Sequence, residues 1–415
     1  MTILNKLYLF EFFYILFFSR FVKNSKFGIP TKLIKDLKIL NQSDIIKEKQ
    51  INLSKKSVNL RKLIEPFYSD VKILDNNLLA VQVDIAKSQK FNLILDTDSI
   101  LTWVSKKDGV DHGHIENHYD SDLSPTFTRS GEQFVMFGND YFRGEYSSDN
   151  IKFISDLSCY MKFGVADEND LDVGADGIFS IARNYQSYDY SLIWKMFEKG
   201  AILSRSFSIK YINDTNAIMY IGGEHSDFRD DRHTGQCQLL NRTQEEQNYW
   251  ACKLYTFGLI SDDNSKNATA LCQYSLSFST RSNNMVLPLE TLDLLDNQLS
   301  QFNCHKTFTN KGYSIMCDDK NSLPHIYIEV GNYYLILDRK GIYYEKEFNG
   351  SKLIYLNVIF TDSKKPVIGL NFLRFFHTKF DPDFSLLKFH ANNFNQLRTS
   401  YNKPDHDEAR SLLHY

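Results

Sequence analysis

From about residue 70 onward the chain is a succession of short apolar runs: LLAVQVDI, FNLILDT, AIMYIGG, LPHIYIEV, YYLILD and KLIYLNVIF, separated by turn-forming residues. Runs this short, alternating or continuously apolar and rich in Val, Ile and Tyr, suit strands and are too brief for ordinary helices. The expected class is therefore all-β, or mainly β. One window, DYSLIWKMFEKGAI, has helical spacing instead, with Leu192, Ile193, Met196 and Phe197 on one face and Gly200 as its C-cap.

At 415 residues with 42% hydrophobic content, the chain can form two domains, or two lobes around one core. A net charge of −3 and the lack of a Lys/Arg stripe interleaved with aromatics argue against a nucleic-acid partner. Lys6 precedes an apolar run from Leu7 to Phe18 broken only by Glu11, which has the form of a secretory signal. As a helix this run rises only about 18 Å, against a bilayer core of roughly 30 Å. FFSRF offers no small-x-small cleavage site, so an uncleaved anchor is the alternative.

The cysteines at 159, 237, 252, 272, 304 and 317 have no CxxC and no His at metal spacing, so neither a metal nor another cofactor is expected. In a secreted chain they suggest disulfides, Cys304 with Cys317 and Cys237 with Cys252, because each pair flanks a short loop between strand-like runs. Sequons at Asn41, Asn52, Asn213, Asn241, Asn267 and Asn349 are compatible with the same route. Residues 20 to 65 are Lys-rich and helix-compatible.

The stretch LILDTDSILTWV, residues 93 to 104, places two carboxylates one residue apart at the end of an apolar strand. NLILDTDS is echoed later by YSLSFSTRS, and ADGIFSIA by KPVIGLNF, which suggests duplicated lobes.

These motifs resemble those of the pepsin family of aspartic proteases, in which each lobe supplies Asp-Thr/Ser-Gly-Ser/Thr after a hydrophobic strand. Asp96 and Trp103 keep the family's spacing, and SDLSPTF, FGND (137 to 140), ADGIFSIA, YIGG, NYWACKL, SLPHIYI and PVIGLNFLRFFHTKFD follow in family order. The resemblance spans roughly residues 70 to 392 and implies two β-lobes related by an approximate twofold, with a peptide cleft between them. It implies five regions: a signal or anchor at 1–25, a basic prosegment-like region at 26–69, an N-terminal lobe at 70–235, a C-terminal lobe at 236–392 and a polar tail at 393–415. A monomer is implied.

Aspartic proteolysis needs two carboxylates sharing one proton, one activating water while the other polarises the scissile carbonyl. By the resemblance Asp96 fills the first position, but the second falls on Ser279, within Ser279-Thr280-Arg281-Ser282. Asp98 and Arg281 stand where the family has glycines, Phe137 precedes Gly138 where the flap has Tyr, Ser180 replaces a Gly, and Leu370 follows Gly369 where an Asp is expected. Thr97 and Thr280 match threonines that cross-link the two loops in the family, and Ser99 and Ser282 complete the motifs.

Asp98 and Arg281 are expected to pair across the lobe junction, or Arg281 to face Asp96. Three weaker readings are Asp98 as a substitute second carboxylate, Ser279 as a nucleophile, and His112, His114 and His118 as metal ligands. Trp103, Phe137 and Tyr141 either line the cleft or pack in the core. The functional expectation is a catalytically defective aspartic endopeptidase homologue of the secretory pathway, holding a peptide or protein in its cleft. The alternatives are an active peptidase with an altered site using Asp96, and a structural or decoy surface protein with a blocked cleft.

Overall fold

The computed structural model describes residues 66–391 apart from residues 87, 112–114, 138–140, 155–156, 184–188, 230–233, 242, 244–246, 248, 262–264, 321–322, 332, 338, 340, 349–350 and 364. The apolar run at the N-terminus, the Lys-rich region up to residue 65 and the polar tail lie outside the described residues, as do His112 and His114.

The described chain is mostly strand, arranged as a 13-stranded and an 11-stranded sheet. Strand Leu79–Ile85 turns Gln82 outward between buried Val81 and Val83. Strand Gln89–Asp96 is buried continuously from Leu93 to Asp96, as suits a strand covered on both faces.

Each sheet contains the same knot of three strands. In the first, Gly177–Ser180 lies parallel to Gln89–Asp96 and antiparallel to Trp103–Asp111, threading between them. In the second, Val367–Ile368 lies parallel to Asn267–Phe278 and antiparallel to Met285–Pro288. Both knots require glycine at a close backbone approach. A Cβ on Gly177 would sit 2.1 Å from the Trp103 carbonyl oxygen, and one on Gly369 would sit 2.4 Å from that of Ser282. This repeat accounts for the paired echoes in the sequence.

Strand Phe67–Ile73 pairs with Asn216–Ile221, so the first sheet starts before residue 70. The last strands, Phe376–Asp381 and Leu386–Ala391, also belong to the first sheet, pairing with Phe207–Tyr211 and Thr234–Gln238. Sheet membership thus does not divide at a single point in the chain. Cys237, in the first sheet, is disulfide-bonded to Cys252, in the second, and Cys304 to Cys317, while Cys159 and Cys272 are buried thiols.

The helical window forms a helix over Leu192–Glu198, capped by Ser191, whose Oγ accepts the Trp194 N–H. Leu192, Ile193 and Met196 are buried, but Phe197 is exposed, against expectation. A seven-residue helix buries a narrower stripe than the window suggested, and Phe197 falls outside it. Gly200 adopts the left-handed φ of +67° as the chain leaves the helix.

Candidate functional site

The two knots bring the loops after Asp96 and after Phe278 face to face. Thr97 N donates to Thr280 Oγ1 at 3.1 Å, and Thr280 N donates to Thr97 Oγ1 at 3.0 Å. The same hydroxyls donate back across the junction, Thr97 to the Phe278 carbonyl at 3.2 Å and Thr280 to the Leu95 carbonyl at 2.7 Å. Both threonines are fully buried.

The local pattern within each loop is also repeated. Asp96 Oδ1 accepts the N–H groups of Asp98 and Ser99 at 2.7 and 3.1 Å. Ser279 Oγ accepts those of Arg281 and Ser282 at 3.1 and 3.2 Å. Ser99 Oγ donates to the Leu101 carbonyl, and Ser282 Oγ to that of Asn284. Asp96 and Ser279 are therefore structural counterparts, each anchoring its own turn.

The positions where the family has glycine carry the charges. Arg281 is buried, with Nε 3.8 Å from Asp96 Oδ2. Asp98 reaches across the junction, where its Oδ2 accepts a hydrogen bond from the Ser279 hydroxyl. Burial, reinforced by the Asp96 charge, pushes the Asp98 carboxyl up to about 6, with Ser279 and Arg281 opposing the rise. Of the two arrangements expected for Arg281, the contact with Asp96 is seen, and the guanidinium also acts on Asp98 through its charge.

Trp103 is fully buried and stacked on Phe142 at 4.6 Å, so it packs the first lobe and does not line a cleft. Phe137 ends a strand whose hairpin partner begins at Tyr141; Gly138 lies outside the described residues. Ser180 is buried, its N–H bound by Thr102 Oγ1 and its hydroxyl by the Ser99 carbonyl. Buried Asp176, from ADGIFSIA, accepts the N–H groups of Asn92 and Asn117, which tie two segments to the threaded strand. The Asp98–Ser279 bond was not foreseen; with 181 residues between the partners, no spacing rule brings them together.

Two duplicated lobes joined by reciprocal threonine bonds beside a buried Asp define a bilobal protein of the aspartic-protease type. A family model for eukaryotic aspartyl proteases matches residues 80–391, and the chain belongs to that family. A search of curated proteins found no match. Among the described residues, no helix is long and apolar enough to cross a membrane.

Proposed function

We propose that this chain is an aspartyl-protease homologue without peptidase chemistry, acting in the secretory pathway by holding a peptide or protein segment between its lobes. The observation that carries this reading is that a serine hydroxyl, that of Ser279, is the structural counterpart of the Asp96 carboxylate. Asp96 Oδ1 takes two backbone N–H groups and Oδ2 faces the Arg281 guanidinium. Ser279, as counterpart of Asp96, cannot supply the shared-proton partner that the reaction needs, and loss of one general acid or base costs about 10²–10⁴ in rate.

Binding needs only a surface. A cavity of about 650 Å³ opens beside the second loop, lined on the second lobe alone by residues that include Asn284, Phe308, Lys311, Tyr344 and Lys346, so it is a subsite of one lobe and not the interlobe cleft itself. Its aromatic and basic lining suits a peptide carrying aromatic and acidic side chains. The two disulfides accord with an oxidising compartment, and the N-terminal apolar run supplies a route to it, cleaved or retained as an anchor.

One observation favours a second reading, a peptidase with an altered site. Asp98 places a carboxyl on Ser279 and keeps its proton to about pH 6, so a second carboxyl able to carry a proton stands near Asp96.

The deciding experiment is cleavage of a degenerate peptide library from pH 3 to 7. It compares the natural chain, Asp96→Ala, and the triple variant Asp98→Gly, Ser279→Asp, Arg281→Gly. Silence from the natural chain with peptide binding retained, and cleavage by the triple variant, is the expected result. Cleavage by the natural chain that vanishes in Asp96→Ala would establish the second reading, and absence of peptide binding would leave a structural or decoy role.

A further inference from the structure

Away from the loop junction, a second ionisable cluster lies where the segment after Ile221 packs against the first sheet. His225 and Asp227 come from this segment, His377 from strand Phe376–Asp381, and Ser208 and Lys210 from strand Phe207–Tyr211. Asp227 is the focus: its Oδ2 is 2.8 Å from both His377 Nδ1 and Lys210 Nζ, and its Oδ1 is 3.2 Å from His225 Nδ1. His377 Nε2 is 2.8 Å from Ser208 Oγ. His377 is fully buried beneath Phe228, whereas His225 and Asp227 are partly exposed, so the cluster opens to solvent on one side.

Asp227, His377 and Ser208 fall in the order of a hydrolase triad. Ser208, however, is 4% exposed and sits mid-strand, opposite Tyr220 on one side and Lys379 on the other. No substrate can reach its hydroxyl, so nucleophilic chemistry is excluded there.

We propose that His225, Asp227 and His377 form a binding site for zinc or a similar divalent transition ion, which replaces Lys210 as the cation on Asp227. Two imidazoles and a carboxylate are a standard zinc donor set. Their ligand atoms all lie within 4.8 Å of one another. A tetrahedral zinc with bonds of about 2.0–2.1 Å puts neighbouring ligand atoms roughly 3.3 Å apart; the carboxylate–imidazole separations, 3.2 Å from Oδ1 and 2.8 Å from Oδ2, are near this, and the set, within 4.8 Å overall, would draw inward around the ion.

The hydrogen bonding points the same way. The Asp227 N–H donates to His225 Nδ1 at 3.2 Å, so that nitrogen is unprotonated, and an ion would take its lone pair in place of this long hydrogen bond. With its proton on Nε2, His377 donates to Ser208 Oγ and turns the Nδ1 lone pair to the ion. A serine hydroxyl can accept as well as donate, and such a second partner fixes the tautomer of a metal-bound imidazole. Lys210, on a flexible stem and partly exposed, can swing to solvent. The ion would staple the segment around His225 to a strand near the C-terminus.

The test uses the purified full chain stripped with EDTA, at pH 7.5. Zinc titration by calorimetry is run beside thermal melting and cobalt(II) absorption. The expected result is one ion per chain, a zinc-dependent rise in Tm, and a cobalt spectrum of tetrahedral type. Lys210→Met should bind zinc more tightly because the competing cation is gone, and Ser208→Ala more weakly by about 10–100-fold. His225→Ala, at a partly exposed position, should lose binding while remaining folded. Absence of zinc binding in both the natural chain and Lys210→Met would overturn the proposal, as would undiminished binding in His225→Ala, which would place the ion elsewhere.

Discussion

Thr97 and Thr280 each accept the other's backbone N–H on the side-chain oxygen, at 3.0 and 3.1 Å, from positions 183 residues apart. Because both residues are buried, an isosteric Thr→Val change leaves the partner's N–H with no acceptor, at about 1–3 kcal/mol. Thr97→Val and Thr280→Val should each lower stability by that order in urea unfolding. The double variant should cost less than the sum, by about 0.5–3 kcal/mol, because the two residues are in contact and hold the same pair of loops together. Strict additivity would show that the loops do not act as one unit.

Two buried groups give opposite pH dependences in overlapping windows. Asp98 titrates near 6 in the folded chain against 3.8 ordinarily, so the native state holds a proton that the unfolded chain has released. Its stabilising contribution is complete below about pH 3.8 and is lost as pH rises through 6. Burial lowers His377 to about 4 from 6.5, so the unfolded chain takes up that proton first. This contribution is complete above about 6.5 and is lost as pH falls through 4. At about 1.4 kcal/mol per pH unit each effect is at most about 3 kcal/mol, and together they flatten the profile. In EDTA, Asp98→Asn should turn the profile between pH 4 and 6 into one that rises with pH, and His377→Gln into one that falls. Chemical denaturation at half-unit intervals measures both.

Arg281 is the buried cation beside Asp96, and its charge also acts on Asp98. Removing one member of a buried charged group typically costs about 3–5 kcal/mol. Arg281→Met should destabilise by this order at pH 7 and by clearly less at pH 4, where Asp98 carries its proton. Equal losses at the two pH values, in guanidinium unfolding, would show that the side chain matters for packing alone.

The Cys237–Cys252 bond closes a loop with a sequence separation of 15 and links the two sheets. Loop closure of this size is worth about 3 kcal/mol. Cys237→Ala with Cys252→Ala should lose about that much, seen as a lower urea midpoint with a slope no smaller than before, because the unlinked unfolded chain is less compact. A shallower slope would mean that the sheets part in separate steps.

Much of the architecture was legible locally. LAVQVDI shows its alternation in the letters, NLILDT its burial, and Cys304 and Cys317 flank a short hairpin. The duplicated loops were legible because each reads apolar strand, then polar-Thr-polar-Ser. What escaped depends on tertiary meetings that no spacing encodes. Asp98 leans onto Ser279 because the threonine bonds hold the two loops together. Trp103 turns inward because Phe142 offers it a stacking surface. His377 meets Asp227 because a strand near residue 380 returns to the first sheet, and 150 positions separate the two in the chain.

That returning strand also governs the order of events at the ribosome. Strand Phe207–Tyr211 pairs with Asn216–Ile221 on one side as soon as both are made, but its other side waits for Thr378–Phe380. At about 5–20 residues per second the interval lasts on the order of ten to thirty seconds. Throughout it, the nascent chain carries an open sheet edge of the kind that recruits other strands. The first-made half therefore cannot mature alone. An mRNA truncated before codon 376 should therefore yield a product whose Phe207–Tyr211 strand keeps one edge unpaired.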